Sequence, residues 1–357
     1  MKLAIGTYTR IEGHVDGHAE GIYIADFNTT NGTIEITDTI KGVINPSYVH
    51  VNSEGNIIYS VSEIAIDTLG GEICSFHLNN EGTWEEKSRQ NTYGGYPCYI
   101  TLDESQKHLL TSNYAGNVSI HRMSENETIS NRCQLLEFPE IEKTNNRQDA
   151  PHLHMSLQIP GTDFHLFSDL GSNKLWHYEL SEKSARHLSD TELMPGAGPR
   201  HMILSLDGQY LYVLNELNHT IEVFRARSFS NSLERLQSIS VKPKDLNSAE
   251  ITSAAIQLHP SGKFLYTSTR SRINQDENFI SVMEIDHDSG MLRNIQIKKT
   301  GGFVPRDFVL SPDGKYLLCA HQDSDNIITF SIELETGMIE NKVSEVIVNT
   351  PVCLKLF

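Results

Sequence analysis

Short apolar runs separated by polar turn residues follow one another along the chain, and residues 196–224 show the pattern most clearly. There, the runs MIL and YLYVL lie on either side of Asp207-Gly208, a strong turn signal between β-strands. The pattern predicts strand, tight turn, strand, loop and strand. Folding the hairpin about Gly208 brings Arg200 and Glu216 to the same open end as approximate cross-strand partners.

The same hairpin pattern recurs about every fifty residues. Each copy has an apolar strand, a turn that usually contains glycine, and a second apolar strand that ends in a polar residue. A third strand follows, such as LWHYEL, and then a more irregular fourth, such as CQLLEFP. The copies begin at Pro46, Pro97, Pro151, Pro199, Ser253, Pro305 and Pro351.

A repeat of this length suits a four-stranded antiparallel sheet, and such sheets arranged around an axis form a β-propeller. Six complete copies and the final fragment TPVCLKLF predict seven blades. The fragment supplies one innermost strand, and the N-terminal runs LAIGTYT, GIYIADF and GTIEITDT supply the other three. Strands from both termini then share one blade, which closes the ring and leaves no free edge. We therefore predict an all-β fold, a seven-bladed β-propeller, with residues 1–357 in a single domain.

Composition narrows the classes of partner. With 46 acidic and 29 basic residues the formal net charge is -17, which argues against nucleic acid or an anionic membrane as a partner. The five cysteines are odd in number and lack CxxC spacing, so they indicate neither a disulfide framework nor a zinc site. The sequence has no membrane-spanning apolar run and no signal-peptide apolar core. We expect a cytoplasmic protein that is a monomer or a weak homo-oligomer.

In a propeller, the first strand of each blade begins and the second ends at the same face, near the axis. Aligning the copies by their turns lists the side chains offered there. The strand-one starts are Ser47, Cys98, His152, Arg200, Ala254, Arg306 and Val352, and the strand-two ends are Tyr8, Glu63, Tyr114, Asp169, Glu216, Arg270 and Gln322. These positions differ between copies although the framework repeats, as expected of a site built on a repetitive scaffold.

Arg200 and Glu216 admit two interpretations, a structural ion pair that ties the hairpin or part of a functional site. Arg270 and Arg306 on the following copies favour a site, because three guanidiniums near one axis repel one another unless negative charge balances them. Glu216 and Glu63 supply part of that charge. A substrate phosphate or carboxylate would supply the rest, and arginine binds both groups through paired hydrogen bonds.

Two histidines alternate along one strand in PHLH, so His152 and His154 are predicted to point to the same side. A structural, an acid/base and a metal-binding role are all open, although no third metal ligand of clear spacing follows. His154 is the better acid/base candidate because it lies deeper from the loop, where desolvation tunes its pKa. His201 alternates to the side opposite Arg200 and is predicted to pack in the sheet. Residues 140–150 are predicted to form a longer surface loop.

Taken together, these motifs resemble those of the seven-bladed β-propeller lactonases. The resemblance is carried by GPRHM with NEL, by SNYAGNVSI, PHLHMS and AHQDSDNI, and by the SPDGKYL-type turns, and it extends from IGTYT to the closing strand. That family includes propeller-type 6-phosphogluconolactonases and carboxy-cis,cis-muconate lactonizing enzymes. The resemblance implies a catalytic set of His154, Arg200, Glu216 and Arg270, and chemistry that needs no metal or other cofactor.

Three functions follow as hypotheses. The first is hydrolysis of a sugar lactone, foremost 6-phospho-D-glucono-1,5-lactone, by water with His154 or Glu216 as general base and Arg200 at the oxyanion. The second is a cycloisomerase or lactonase acting on a carboxy-muconate-like diacid, and the third is a non-enzymatic ligand-binding propeller. Residues predicted to bind the small anionic substrate are His152, Arg306, Gln322, Tyr114 and Glu63.

Overall fold

The computed structural model describes residues 1–65, 70–181, 184–226, 231–246 and 250–357. Within these ranges the strands form seven four-stranded antiparallel sheets and one two-stranded hairpin. Each four-stranded sheet is one blade, and the first strands of neighbouring blades pack against each other around the central axis. The predicted seven-bladed β-propeller is confirmed.

Blade 1 joins the two ends of the chain. From the axis outward its strands are Pro351–Leu356 (β30), Lys2–Thr7 (β1), Ile22–Phe27 (β4) and Ile34–Ile40 (β5). Leu3 pairs with Leu356 and Ile5 with Leu354, and the backbone groups of Lys2 and Phe357 exchange two hydrogen bonds of 2.9 Å. The predicted closure of the ring by strands from both termini is therefore confirmed.

Each of the other six blades contains four strands that are consecutive along the chain. Blade 2 is Val49–Val51 (β6), Ile57–Ser62 (β7), Glu72–Leu78 (β8) and Trp84–Asn91 (β9), and blade 3 is Pro97–Leu102 (β10), His108–Asn113 (β11), Asn117–Met123 (β12) and Ile129–Glu137 (β13). Blade 4 is Leu153–Gln158 (β14), Phe164–Asp169 (β15), Lys174–Leu180 (β16) and Ala185–Glu192 (β17), and blade 5 is Pro199–Leu204 (β18), Tyr210–Asn215 (β19), Thr220–Arg225 (β20) and Glu234–Ser240 (β21). Blade 6 is Thr252–Leu258 (β22), Phe264–Arg270 (β23), Phe279–Ile285 (β24) and Leu292–Lys299 (β25), and blade 7 is Pro305–Leu310 (β26), Tyr316–His321 (β27), Asn326–Ile332 (β28) and Ile339–Ile347 (β29).

Two small elements are absent from the repeat pattern. The strands Ile11–Glu12 (β2) and Val15–Asp16 (β3) form a short hairpin between β1 and β4, and Gln275–Glu277 forms one turn of 3-10 helix between β23 and β24. No helix in the described ranges has the length and apolar character needed to cross a membrane.

The turn at Asp207-Gly208 shows why the hairpins form where the sequence predicts them. Gly208 has a φ of +68°, a left-handed conformation that glycine adopts without steric cost. An Asp207 carboxylate oxygen accepts hydrogen bonds from the Ser205 hydroxyl at 2.5 Å and from the Gln209 amide at 3.0 Å. Ser311 and Asp313 make the same hydroxyl–carboxylate contact at 2.7 Å in blade 7, so the two hairpins turn in the same way.

Apolar side chains fill the space between neighbouring blades. Between blades 5 and 6, for example, Tyr212, Val223, Ile256, Leu265 and Met283 are buried against one another. Burying apolar surface contributes about 25 cal/mol per Å², so these contacts fix each blade against the next. The blades in turn fix the side chains that reach the axis.

A bulge in the first strand decides which side chains reach the axis. In blade 5, Pro199 pairs with Asn215 and His201 with Leu214, which leaves Arg200 as the extra residue. Arg200 and Glu216 therefore meet at the same open end, as predicted, with 3.1 Å between Nε and Oε2, but the bulge keeps them out of direct register. His201 is buried against the rings of Tyr48 and Tyr99, so it packs in the sheet as predicted. It does not lie on the side opposite Arg200, however, because the bulge interrupts the alternation and Nε2 of His201 lies 3.2 Å from Nη1 of Arg200.

Candidate active site

The same bulge recurs in blades 3, 4 and 7, and it places one residue of each blade at the position of Arg200. These residues are Cys98, His154 and Arg306. In blade 4 the predicted position, His152, was wrong by two residues. Pro151, which begins that repeat, lies two residues before Leu153, the first residue of blade 4 that pairs across the hairpin. In blade 5 the corresponding Pro199 is itself paired.

Glu216 is the centre of a cluster of arginines at the end of β19. Its side chain is only 2% exposed, and its backbone N–H donates to the carbonyl of Gly198 at 2.8 Å. Its carboxylate oxygens lie 2.7 Å from Nη2 of Arg147, 3.1 Å from Nε of Arg200 and 3.3 Å from Nη2 of Arg270. Burial alone raises the pKa of Glu216, but the three guanidiniums outweigh it and lower that pKa to about 2. The carboxylate is therefore ionised at neutral pH.

The arginines around Glu216 are themselves held by the scaffold. Nη1 of Arg200 donates to the carbonyl oxygen of Ala254, and Nε of Arg270 donates to the Thr252 hydroxyl at 2.9 Å. Arg200 is 3% exposed and contacts Glu216, but it is not among the side chains that line the axial cavity. Arg270 lines the cavity directly. Arg200 is thus placed to position Glu216, whereas Arg270 is placed to touch a ligand.

A second carboxylate, Glu63, lies across the same cavity. The Tyr8 hydroxyl is 2.9 Å from both of its oxygens, the Ser47 hydroxyl donates to one of them, and Nε2 of His14 lies 3.5 Å away. Burial raises the pKa of Glu63, but His14, Arg306 and Ser47 together outweigh burial, so the pKa is lowered. Glu63 is therefore also ionised at neutral pH.

Arg306 connects the two carboxylate groups. Its guanidinium carbon lies 5.4 Å from the centre of the Tyr8 ring, a cation–π contact. Burial lowers the pKa of Arg306, but Tyr8, Glu63 and Glu216 outweigh burial and keep the guanidinium protonated. The side chain lines the cavity between the groups of Glu63 and Glu216.

His154 is buried in the cavity wall. Its ring lies edge-on to those of Tyr114 and His201, with centroids 6.1 and 5.3 Å away. Its Nδ1 has no hydrogen-bond partner among the described residues. Burial, followed by the charges of Arg200 and Arg306, holds the pKa of His154 well below its ordinary value. The imidazole is therefore neutral at neutral pH, and it lines the cavity although its Nδ1 is buried.

His152 occupies the rim rather than the cavity wall. Its ring stacks on Tyr114 with centroids 4.4 Å apart, and its two nitrogens contact the Tyr114 carbonyl at 2.8 Å and Asp149 at 3.0 Å. Asp169 accepts hydrogen bonds from the His152 amide and the Trp176 indole, so it too is occupied within blade 4. His152 thus fixes Tyr114, which does line the cavity.

The axial cavity has a volume of about 540 Å³ and brings together most of the predicted residues. Its lining contains His154, Glu216, Arg270, Arg306, Tyr114 and Glu63, but not His152, Arg200 or Gln322. The Gln322 side chain donates to Asp323 at 2.7 Å instead. No three histidine, cysteine or carboxylate side chains in the described ranges are grouped to hold a metal ion.

Charge in the cavity is unevenly distributed. Four arginines, at positions 147, 200, 270 and 306, surround the two carboxylates of Glu63 and Glu216, which leaves an excess of two positive charges. Glu250 and Arg272 also line the cavity, but both are exposed, and Nε of Arg272 pairs with Asp323 at 3.2 Å. This cationic site lies within a chain of net charge -17.

Comparison with known proteins assigns the chain to a family. The family model described as lactonase, 7-bladed beta-propeller, matches residues 2–356. The chain belongs to this lactonase family. The resemblance inferred from GPRHM, PHLHMS and NEL is confirmed.

Individual family members match over nearly their whole length. A 6-phosphogluconolactonase from Formosa agariphila is 30% identical over 344 residues, which cover 94% of this chain and 95% of that protein. A 6-phosphogluconolactonase from Bacillus subtilis is 28% identical over 354 residues, covering 98% and 97%. Among solved structures, the periplasmic gluconolactonase of Pseudomonas aeruginosa matches with a TM-score of 0.91 and 25% identity, covering 99% of this chain and 98% of that one.

Several cavity residues of this family member were missed by the repeat pattern, among them Arg147 and His14, which contact Glu216 and Glu63. Arg147 comes from the 140–150 loop and His14 from the turn of the β2–β3 hairpin, and both segments lie outside the four repeated strands of a blade. Aligning repeats detects only residues that recur at equivalent positions. The one available signal was the length of the 140–150 segment, because long loops of propellers often carry function.

Proposed function

We propose that this protein hydrolyses the 1,5-lactone of a phosphorylated sugar acid, 6-phospho-D-glucono-1,5-lactone, to 6-phosphogluconate. The observation that carries the proposal is the axial cavity, where Arg147, Arg270 and Arg306 line the wall beside Glu63 and Glu216, Arg200 lies behind Glu216, and positive charge is in excess. Arginine binds phosphate through paired, charge-assisted hydrogen bonds, so this excess suits a phosphorylated substrate. The Formosa agariphila and Bacillus subtilis relatives, both named 6-phosphogluconolactonase, support the same substrate.

The geometry favours His154 over Glu216 as the general base. The carboxylate of Glu216 is held by three guanidiniums, which lower its pKa to about 2, so it serves as their counter-ion and is not free to take a proton from water. The imidazole of His154 is neutral and lines the cavity, so it accepts the proton of the attacking water. Its low pKa then makes the imidazolium a strong acid, suited to returning that proton to the leaving ring oxygen. Glu216 instead keeps three arginines in place.

The reaction then follows from the positions of the remaining groups. Water attacks the lactone carbonyl carbon while His154 removes its proton, and negative charge develops on the carbonyl oxygen. Arg306, which lies close enough to depress the pKa of His154, stabilises this oxyanion. The bond between the carbonyl carbon and the ring oxygen breaks, and the ring oxygen receives the proton. Arg270 holds the phosphate, and the products are an alcohol and a carboxylic acid that ionises.

We also propose a cytoplasmic location, which the five unbridged cysteines support. A monomer or weak homo-oligomer is the expected assembly, because the axial cavity is complete within one chain.

The experiment is hydrolysis of 6-phospho-D-glucono-1,5-lactone by the purified protein, followed as alkali uptake at constant pH. We expect a rate at least ~100-fold above the buffer reaction, the range of general acid–base catalysis. 6-Phosphogluconate should inhibit competitively, whereas a carboxy-muconate diacid should not. A rate equal to that of buffer alone would reject the proposal, and turnover of the diacid instead would favour the cycloisomerase.

A further inference from the structure

Arg147 comes from a loop, whereas the other two arginines that contact Glu216 come from strands of blades 5 and 6. It belongs to the segment between Glu137, the end of β13, and Leu153, the start of β14. The backbone there is anchored, because the side-chain amide of the buried Gln148 donates to the carbonyl of Leu170 at 3.0 Å and the Arg147 amide donates to Asn145 at 2.8 Å. The loop therefore holds the Arg147 backbone in place, while its side chain extends over the cavity.

Arg147 is also the most exposed of the three arginines on Glu216. Its side chain is 45% exposed, compared with 14% for Arg270 and 3% for Arg200. Nη2 of Arg147 contacts Oε1 of Glu216 at 2.7 Å and the Tyr114 hydroxyl at 3.2 Å. Arg200 and Arg270 are held by backbone and hydroxyl groups of blade 6. Among the residues that the structure describes, Tyr114 is the one blade residue besides Glu216 that contacts the Arg147 guanidinium. Arg147 is therefore the guanidinium best placed to leave Glu216.

We propose that Arg147 exchanges partners during turnover, binding Glu216 in the free protein and the phosphate of the substrate in the complex. This inference rests on the proposed lactonase function. A phosphate dianion at the mouth offers Arg147 a bidentate partner of higher charge than one carboxylate oxygen. The exchange leaves Oε1 of Glu216 with Arg270 alone, free to accept a hydrogen bond from a substrate hydroxyl. Phosphate binding and the arrangement of Glu216 are then coupled.

The coupling makes Arg147 a specificity-determining residue. A sugar lactone without phosphate offers Arg147 no anion that competes with Glu216, so the ion pair between Arg147 and Glu216 stays intact. The free protein should therefore prefer the phosphorylated lactone strongly over glucono-1,5-lactone, which has the same ring. The preference should depend on Arg147 and not on the general positive charge of the loop.

The experiment measures kcat/KM on both lactones for the wild type, Arg147→Gln and Lys143→Gln. Lys143 is an exposed cation of the same loop that does not line the cavity. The preference is the ratio of kcat/KM on the phosphorylated lactone to kcat/KM on glucono-1,5-lactone. We expect this ratio to fall at least ~30-fold in Arg147→Gln, as for loss of one partner of a hydrogen-bonded charge pair. In Lys143→Gln it should stay within ~3-fold of the wild type. Inorganic phosphite should accelerate hydrolysis of glucono-1,5-lactone by the wild type but not by Arg147→Gln.

A purely structural role for Arg147 predicts a different pattern. Both lactones would then lose rate together and the preference would be unchanged, which would overturn the inference. Phosphite that fails to accelerate the wild type, or that accelerates both proteins equally, would also overturn it. These outcomes leave the lactonase function standing, whereas a wild type that hydrolyses neither lactone above the buffer rate removes the proposed function itself.

Discussion

Replacing Glu216 with glutamine is expected to lower kcat/KM for 6-phospho-D-glucono-1,5-lactone by roughly 100- to 1,000-fold, the cost of removing a preorganised charged group from an active site. Glu216 is the shared counter-ion of Arg147, Arg200 and Arg270. Neutral glutamine leaves the three guanidiniums without that charge, so they repel one another and lose the geometry that binds the phosphate. Activity within 10-fold of the wild type would contradict this role.

The same substitution should lower stability in a pH-dependent way. Removing one partner of a buried ion pair costs about 3–5 kcal/mol. The pKa of Glu216 is depressed to about 2 in the folded protein, whereas an unfolded glutamate titrates near ~4.3. Its stabilising contribution is therefore fully present above about pH 4.3 and is lost as pH falls toward 2. Denaturant unfolding of both proteins across this window should show their stabilities converging at low pH.

Glu222→Gln is the matched control for Glu216→Gln. Glu222 lies in β20 of the same blade, is fully buried, pairs with Arg235 and accepts a hydrogen bond from the Met194 amide at 2.9 Å. It does not line the axial cavity. Its glutamine variant should lose stability but keep kcat/KM within ~3-fold at temperatures where it is folded. An equal loss of activity in both variants would show that the effect of Glu216→Gln is structural.

Removing residues 351–357 is expected to abolish cooperative folding. The deletion removes β30, whose Val352, Cys353 and Leu354 are 3%, 0% and 1% exposed, and it uncovers the edge of β1. Each fully buried side chain of this kind contributes roughly 1.5–3 kcal/mol, and the ladder hydrogen bonds of β1 are lost as well. The sum approaches the ~5–15 kcal/mol total stability of a typical domain. Circular dichroism on heating should show no sigmoidal transition.

A permuted chain is the control for this deletion. The C-terminus of β30 meets the N-terminus of β1, where Lys2 and Phe357 exchange backbone hydrogen bonds. Moving residues 351–357 ahead of Lys2 through an Asn-Gly turn converts the pair into an ordinary β-hairpin. This chain should regain the wild-type unfolding transition. A truncated protein that unfolds at the wild-type temperature would show that ring closure by β30 contributes little.

Much of the fold was predictable because each sequence repeat specifies the strands and turns of one blade. Glycine turns such as Asp207-Gly208 and apolar runs recur about every fifty residues, and the incomplete copies at the two ends are complementary. The bulge at Arg200 was not predictable, because a bulge depends on which backbone groups pair across the hairpin and not on the apolar pattern. The offset in blade 4 has a different cause, because Pro151 lies two residues before the first paired residue, and His154 rather than His152 is therefore equivalent to Arg200.

Site residues at positions that recur in each blade could be predicted, whereas those from segments outside the repeat could not. Glu216, Arg270 and Arg306 lie at the blade positions that repeat alignment identifies, and they line the cavity. Gln322 was assigned by the same alignment, but the neighbouring Asp323 accepts its amide hydrogen bond. Arg147 reaches the cavity from a loop outside the repeated strands, so its position depends on tertiary structure.

The position of bound product is the most direct test of whether a phosphorylated sugar acid occupies the axis. A crystal structure of the protein with 6-phosphogluconate should place the phosphate in hydrogen-bond contact with Arg147 and Arg270, and the carboxylate beside His154 and Arg306. Product bound elsewhere, or an empty axial cavity at saturating 6-phosphogluconate, would contradict the assignment of this cavity as the catalytic site.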